Sequence, residues 1–292
     1  MRRSVAAALA QRDVAVEVIV VDDGSEVPLE GRLAAAFAGE LRLRVVRHEQ
    51  PRRQAAARNN ALAHARADWV AFLDHDDLWA PHKLRVQLDA AAAAGADWAY
   101  AAALVVDEHM RPQDIEPAPP PDELVARLRR RNCVPGGGSS VLARTELVRA
   151  AGGFDGAFTV ISDWDLWLRL AHRPAAAVTE PLVAFVRRGG GLSVSSGHVV
   201  IAEGEALAAK HHAAGAQIDI AWLARWTAGS QRRGGRRVAA ARTYLGGARH
   251  GDVPGGLVRA ALALVEPRAP SARGREATGP RPPAPAWLHE LP

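Results

Sequence analysis

At 292 residues, 48% hydrophobic and 24% charged, the chain has the composition of a globular protein with a substantial core, organised as one main domain plus an appendage. The net charge of +5 rests almost wholly on arginine, since Lys83 and Lys210 are the only lysines; the arginines are scattered with few aromatics between them, which argues against a nucleic-acid partner while leaving anionic lipids and nucleotide-linked substrates open. Cys133, the single cysteine, excludes an internal disulfide and a cysteine-built zinc site, and no stretch approaches the roughly 20 apolar residues of a membrane span. With no signal-peptide core at the start, the expected address is cytoplasmic, peripheral contact with the inner face of a membrane being left open.

In chain order, Ser4 to Gln11 reads as a short helix and Val16 to Val21 as a continuous apolar run of the buried parallel-strand type. Leu41, Leu43 and Val45 alternate with arginines, the period-two mark of a strand with one wet face. An alanine-rich helix is expected from Arg52 to Arg66 and a buried strand from Trp69 to Leu73. A helix follows from Pro81 to about Ala94, with proline at its first position and Gly95 closing it, and Tyr100 to Val106 returns as a strand. This alternation implies an α/β fold on a mostly parallel, helix-covered sheet.

The second half is less regular. A Pro-rich loop at residues 117–121 precedes a helix from Asp122 to about Arg130, a glycine run at Gly136 to Gly138 and a strand from Ser139 to Ala143. Helices are expected at Thr145 to Ala151, stopped by Gly152 and Gly153, and near Asp163 to Ala171, where Ser162 and Asp165 resemble a capping box. From about Ile218 the periodicity is helical, in segments near Ala221 to Arg233, Arg236 to Arg249 and Leu257 to Val265. The expected division is an α/β domain at 1–215, a helical C-terminal region at 216–266 and a disordered, Pro- and Arg-rich tail at 267–292.

Two acidic clusters stand at strand ends: Asp22-Asp23-Gly24-Ser25 after Val-Ile-Val-Val, and Asp74-His75-Asp76-Asp77 after Val-Ala-Phe-Leu. Carboxylates this close repel, so near neutral pH they need a cation, a hydrogen-bonded ligand or a raised pKa. In an α/β sheet the carboxyl ends of the strands line the ligand crevice, so both clusters are expected to face one site, with a metal-bound phosphate compound as guest. Asp74-x-Asp76 suits Mg²⁺ or Mn²⁺, which prefer oxygen ligands; the competing reading is a helix start capped by Asp76 or Asp77. The upstream cluster is equally a plain turn, or else a carboxylate that accepts a hydrogen bond from a nucleobase N–H.

These segments, together with Ala-Ala-Ala-Arg58-Asn59, Gly152-Gly153-Phe154-Asp155 and Asp163-Trp164-Asp165-Leu166-Trp167, come in an order and spacing that resembles the family 2 glycosyltransferases over roughly residues 4 to 195. The resemblance implies a GT-A fold and inverting, divalent-cation-dependent transfer of a sugar, of the hexosyl type, from a nucleotide-diphosphate sugar donor. The implied acceptor is a glycan, a lipid-linked or a small molecule, within bacterial polysaccharide biosynthesis. By position it assigns donor binding to Asp22, Asp23, Arg58, Asn59, Asp74 and His75, with Asp23 at the base; the metal to Asp76 and Asp74; and the catalytic base to Asp163. Chemistry independently suits that last role, because in-line displacement at an anomeric carbon needs a carboxylate to take the acceptor proton while a cation neutralises the departing diphosphate. Trp164 and Trp167 are expected in the core or the acceptor wall, and the small residues from Gly136 to Ser140 are expected either to leave room for the acceptor or to form a flexible turn.

Several departures accompany the match. The family's opening strand, with its nucleotide-cradling turn, would lie ahead of Met1, which suggests a misplaced start or a damaged donor pocket. A glycine usual before the Ala-Ala-Ala-Arg segment is replaced near Arg53, and Arg188 stands where a late histidine is often found, so it is expected to pair with a diphosphate and not to bind metal. Trp222-Leu-Ala-Arg225-Trp226 lacks the glutamine of processive members, favouring transfer of a single sugar. Two alternatives remain: a catalytically inactive binding module, and a phosphatase of the type that phosphorylates a strand-end aspartate such as Asp74. Sugar, base, acceptor and oligomeric state have no motif that reports them.

Overall fold

The computed structural model describes residues 1–186, 197–265 and 281–290. Arg188 and the surrounding glycine stretch lie outside the described residues, as does the tail at 267–280. The first half runs α1 (Arg2–Leu9), β1 (Val18–Asp23), α2 (Leu29–Ala36), β2 (Leu43–His48), α3 (Arg53–His64), β3 (Trp69–Ala71), β4 (Leu78–Trp79), α4 (Lys83–Ala94) and β5 (Trp98–Val106), the anticipated alternation with two elements the sequence reading did not contain, α2 and β4. Gly95 closes α4 in the left-handed region at φ 57°, its N–H returning to the carbonyls of Ala91 and Ala92, as a glycine C-cap requires. The helix starts two residues after Pro81, which sits in the turn before it.

Beyond β5 come β6 (Pro112–Glu116), α5 (Pro121–Leu128), a 3₁₀ turn at Gly137–Ser140, β7 (Val141–Arg144), α6 (Thr145–Ala150), α7 (Ser162–Leu170) and β8 (Ala175–Val186). Then follow α8 (Gly197–Lys210), α9 (Ile220–Arg233), α10 (Arg237–Ala248), α11 (Val253–Val265) and α12 (Trp287–Glu290). The two longest ladders, β1 with β2 and β5 with β8, are parallel. Strands β3 and β7, β5 and β7, β5 and β6, and β4 and β8 pair antiparallel, giving a larger sheet in the order β3-β7-β5-β8-β4 with β6 alongside β5. Among the described residues the β1–β2 pair shares no ladder with that sheet; Val18 and Ala71 instead pack on one cluster formed by Ala8, Trp79, Ala103 and Val183.

The core is laid over β5, whose nine residues are all buried, so both of its faces are dry and its side chains are apolar throughout apart from the Tyr100 hydroxyl. On one face Trp98 stacks on Trp167 of α7 with centroids 6.0 Å apart, and Phe154 meets Phe72 edge-on at 4.9 Å. Trp164 and Trp167 are fully buried, which makes them core residues and not an acceptor wall. Burial of that pair anchors α7, the helix that carries Asp163, against the centre of the sheet.

Two expectations are corrected. Ser162 and Asp165 form no capping box: Ile161 occupies the N-cap without a side-chain bond, and Asp165 faces inward to Arg169, Lys210 and His211. The tail is not disordered throughout, because α12 returns to the sheet and buries Trp287 and Leu288 among Ala7, Leu104, Leu182 and Ala184. Composition concealed this, since two apolar residues in a Pro-rich setting suffice to dock a single turn. Replacing Trp287 with alanine is expected to lower the unfolding free energy by roughly 3–5 kcal/mol, read from denaturant melts; an unchanged midpoint would show that this turn does not dock.

Candidate functional site

Strand β3 delivers Phe72 and Leu73 into the core and leaves Asp74, His75 and Asp76 at its carboxyl end. Asp74 Oδ1 accepts bonds from Arg58 Nη2 at 2.6 Å and Gln54 Nε2 at 3.3 Å, both reaching from α3. The Asp74 amide donates to Ser139 Oγ at 3.0 Å, and the same hydroxyl donates to Asp77 at 2.6 Å. Ser139 thereby fixes the acidic turn from the opposite side. Burial, reinforced by the charge of Asp74, pushes the Asp77 carboxyl well above the ordinary range; it accepts the Ser139 hydroxyl in the turn wall and caps no helix.

Behind it, Trp79 Nε1 donates to the carbonyl of Ser139 at 2.7 Å, and the fully buried Lys83 lies 4.4 Å over the Trp79 ring and 2.6 Å from Gln87 Oε1. Burial drives the Lys83 ammonium well below its usual value. Asp76 is different from its neighbours. Its side chain is 28% exposed, and its recorded ionic neighbour is His75 Nδ1, 3.9 Å away; the His75 ring itself is largely in solvent.

Asp163 sits in the first turn of α7, where Oδ1 accepts the Trp164 amide at 2.8 Å and Oδ2 accepts Asn132 Nδ2 at 3.3 Å. Burial raises its pKa; Arg58 opposes that rise, and the negative charge of Asp74 adds to it. The Gly137–Ser140 turn lies between Asp163 and Arg58. A Cβ on Gly137 would come within 3.3 Å of Asp163 Oδ2, and one on Gly138 within 3.2 Å of Arg58 Nη2. The glycine run thus brings backbone close against two charged groups, which neither a flexible turn nor an open acceptor space explains.

The upstream cluster is more heavily engaged than its sequence suggests. Asp22 is 1% exposed, accepts the amides of Ser25 and Leu29 and pairs with Arg47; burial would raise its pKa, but these partners outweigh that and hold it at about 2. These bonds shape the turn at the end of β1. Asp23 accepts the amides of Arg52 and Arg53 at 2.8 Å each and lies 2.7 Å from His48 Nδ1, and His48 Nε2 in turn meets Asn60 at 2.6 Å. Burial raises its pKa, but His48 and the two amides outweigh that, so the folded carboxyl lies below the ordinary value. Arg53 reaches that bond with φ at 73°, a left-handed conformation that costs a non-glycine residue roughly 1–2 kcal/mol.

Asn59 also has a structural task. Its amide donates to the Phe154 carbonyl and accepts the Phe154 N–H, both at 2.8 Å, and a Cβ on Gly153 would lie 2.4 Å from Asn59 Oδ1. These two bonds clamp α3 to the loop before α7. Arg58, one residue earlier, faces the other way, to Asp74 and to the Phe154 ring 5.0 Å away.

Sequence reasoning missed the group that holds α7 from below. Glu203 of α8, 7% exposed, accepts the successive amides of Thr159, Val160 and Ile161 at 2.6, 3.0 and 3.2 Å, fixing from another helix the loop that leads into α7 up to its N-cap residue. Asp165 is fully buried; burial would raise its pKa, but His211, Lys210 and Arg169 hold it at about 2. The one available signal for Glu203 was its place, with Glu205, in an otherwise apolar run from Val199 to Leu207.

Residues 1–149, just over half of the chain, match the model of the glycosyl transferase family 2, and the chain belongs to that family. It is 40% identical over 94 residues to the succinoglycan biosynthesis protein ExoO of Rhizobium meliloti (strain 1021), covering 32% of this chain and 26% of that protein. It is 33% identical over 85 residues to the UDP-Glc:alpha-D-GlcNAc-diphosphoundecaprenol beta-1,3-glucosyltransferase WfgD of Escherichia coli, covering 29% and 33%. These matches span a quarter to a third of the relatives' own length. In fold it is similar to S. aureus TarS 1-349 in complex with UDP-GlcNAc, with a TM-score of 0.54 at 17% identity over 85% of this chain and 69% of that one. The α/β, GT-A class of the fold is thereby established, and the strand-end aspartates belong to a glycosyltransferase framework, not to a phosphatase.

Replacement of Asn59 by alanine is expected to cost roughly 1–3 kcal/mol of stability, because two backbone groups of Phe154 lose their partners, while leaving nucleotide affinity unchanged. Calorimetric titration beside a melt checks this; a loss of affinity at unchanged stability would return Asn59 to the donor pocket.

Proposed function

We propose that this chain is an inverting, divalent-cation-dependent glycosyltransferase that moves one sugar from a nucleotide-diphosphate donor to a glycan, lipid-linked or small-molecule acceptor in bacterial polysaccharide synthesis. The observation that carries the reading is the half-buried carboxylate of Asp163, held across the Gly137–Gly138 backbone from the Arg58–Asp74 pair. Family membership and the fold shared with a UDP-GlcNAc complex support the donor class; the names of the relatives support the pathway class.

In this reading Asp163 takes the acceptor hydroxyl proton as the oxygen attacks the anomeric carbon. Its two hydrogen-bond donors, the Trp164 amide and Asn132, orient the carboxylate, and its raised pKa makes it a better proton acceptor than an exposed aspartate. Arg58 supplies fixed positive charge beside the departing diphosphate and keeps Asp163 ionisable near Asp74. Among the described residues no group of three or more His, Cys, Asp or Glu side chains forms a metal cage, which suits Mg²⁺ or Mn²⁺ held by one or two carboxylates plus substrate phosphates. Asp76, partly exposed and carrying no strong ion pair, fits that role first; Asp74, already bonded to Arg58, fits it second. Such a cation would stabilise charge on the leaving diphosphate. Single-sugar transfer is kept in this reading because Trp222-Leu-Ala-Arg225-Trp226 lacks the glutamine of the processive element.

Asp163→Asn is expected to reduce turnover by about 10²–10⁴ while retaining donor binding. Activity of the parent should fall on acidification along a limb whose midpoint lies above the ordinary 3.8 of an aspartate, since the base works only when ionised. The stability effect has the opposite sign: with the folded pKa raised, Asp163 favours the fold fully below its unfolded value and loses that contribution as pH rises through the folded one, so Asp163→Asn should melt no lower than the parent at neutral pH. Full turnover by the variant would overturn the base assignment. Titration with UDP and GDP, with and without Mn²⁺, tests the donor and the cation together: silence toward both nucleotides would support the inactive-module alternative, and equal binding with or without Mn²⁺ would remove the metal.

A further inference from the structure

Helix α11 is apolar over far more of its surface than its packing uses. It buries Gly256, Ala260 and Ala263 against α10, and leaves Val253, Leu257, Val258, Leu262, Leu264 and Val265 between 44% and 80% exposed. At about 100° per residue those six side chains sweep roughly half the circumference, and Arg259 is the helix's single charged residue. A solvent-facing helix normally turns charge outward, so an apolar arc of this width marks a surface that meets something other than water.

The neighbouring helix continues the surface with a different chemistry. Val238, Arg242 and Leu245 of α10 and Arg249 at its C-cap are all exposed and spaced to fall on one stripe, opposite the buried Ala240, Tyr244 and Gly247. Arginine stems between apolar side chains cover apolar surface while their guanidinium groups stay in a polar layer. Charge is concentrated in the same place. Residues 220–265 contain eight arginines against one acidic residue, Asp252, a net +7 where the whole chain carries +5. Among the described residues no helix is long and apolar enough to cross a membrane, which leaves the interfacial mode for such a face.

We infer that the exposed face of α11, with the Val238–Arg249 stripe of α10 beside it, is a docking surface for an anionic lipid bilayer, lying in the headgroup layer with its leucines and valines in the acyl boundary. Charge complementarity selects this occupant over a second copy of the chain: two-fold packing on this face would bring together the arginines of both copies, whereas phosphatidylglycerol or a similar headgroup offsets them. The inference is independent of the sugar-transfer chemistry, and it would place the Asp163 crevice near membrane-borne acceptors if that chemistry holds.

Co-sedimentation of the full chain with phosphatidylglycerol-rich vesicles, set against neutral phosphatidylcholine vesicles, tests it. The expected result is binding to the anionic vesicles, weakened by salt, with the double variant Leu257→Asp/Leu264→Asp lowering the partition coefficient at least about tenfold, and Arg242→Glu/Arg249→Glu lowering it on anionic vesicles alone. Both pairs are exposed, so melting temperature and nucleotide titration should match the parent, separating this test from the fate of the catalytic reading. No binding to either vesicle, or equal binding to both, overturns the inference. A concentration-dependent dimer in light scattering that Leu257→Asp/Leu264→Asp abolishes would overturn it too, assigning the face to a second copy.

Discussion

Arg58 is the group on which the crevice depends. Asp74, Asp76 and Asp163 bring negative charge into one partly buried place, and Arg58, 2.6 Å from Asp74 and electrostatically coupled to Asp163, is the guanidinium set among them. A fixed cation of this kind opposes the upward shift that burial imposes on carboxyl groups, the shift that Asp77 undergoes at the far side of the same turn. Its own position is secured by the Phe154 ring and by the absence of a side chain at Gly138. The glycine run is therefore part of the electrostatics: a Cβ at Gly137 would press on the Asp163 carboxylate, and one at Gly138 on the Arg58 guanidinium.

Helix α7 is held in place by parts of the chain beyond the segment that matches the family. Asp163 stands on a helix start whose N-cap makes no side-chain bond, and the loop leading into it is fixed by Glu203, some forty residues later; the underside of the helix is fixed where Asp165 meets Arg169, Lys210 and His211. A buried carboxylate with three basic neighbours holds its charge down to about pH 2, so this clamp persists through any range in which Asp163 titrates. Removing one partner from such a cluster would leave buried charge uncompensated, which is a larger penalty than the net gain from forming it. The two aspartates of Asp163-Trp164-Asp165 thus differ in their surroundings: Asp165 meets three basic side chains, whereas the hydrogen-bond donors to Asp163 are an amide and Asn132.

Arg53 shows how the chain accommodates a departure from its family. Where a glycine is usual, an arginine adopts φ of 73° so that its amide still reaches Asp23. The bond survives and the backbone carries the strain, which is offset by a further contact from the Arg53 guanidinium to Thr159 at 3.2 Å. That contact ties the β2–α3 turn to the same loop that Glu203 fixes.

Local pattern was enough to read most of the helices and strands through Val106, though not α2 or the two-residue β4, and the Gly95 stop, the helical C-terminal region and the acidic strand ends, because periodicity and turn chemistry are properties of neighbouring residues. Composition misjudged α12, since docking of Trp287 and Leu288 depends on a groove built by strands far earlier in the chain. The division of labour among the aspartates was equally invisible. Asp22 and Asp23 look alike in sequence, as do Asp163 and Asp165, yet Asp22 and Asp165 are saturated by partners while Asp163 is not, and those partners come from Arg47, Lys210 and His211 at distances along the chain that no motif spans. Residue types and their order thus determined which family this chain joins and where its carboxylates stand; only the tertiary structure decided which of them are neutralised, because a charge is settled by what lies within a few ångströms in space, whatever its separation in sequence.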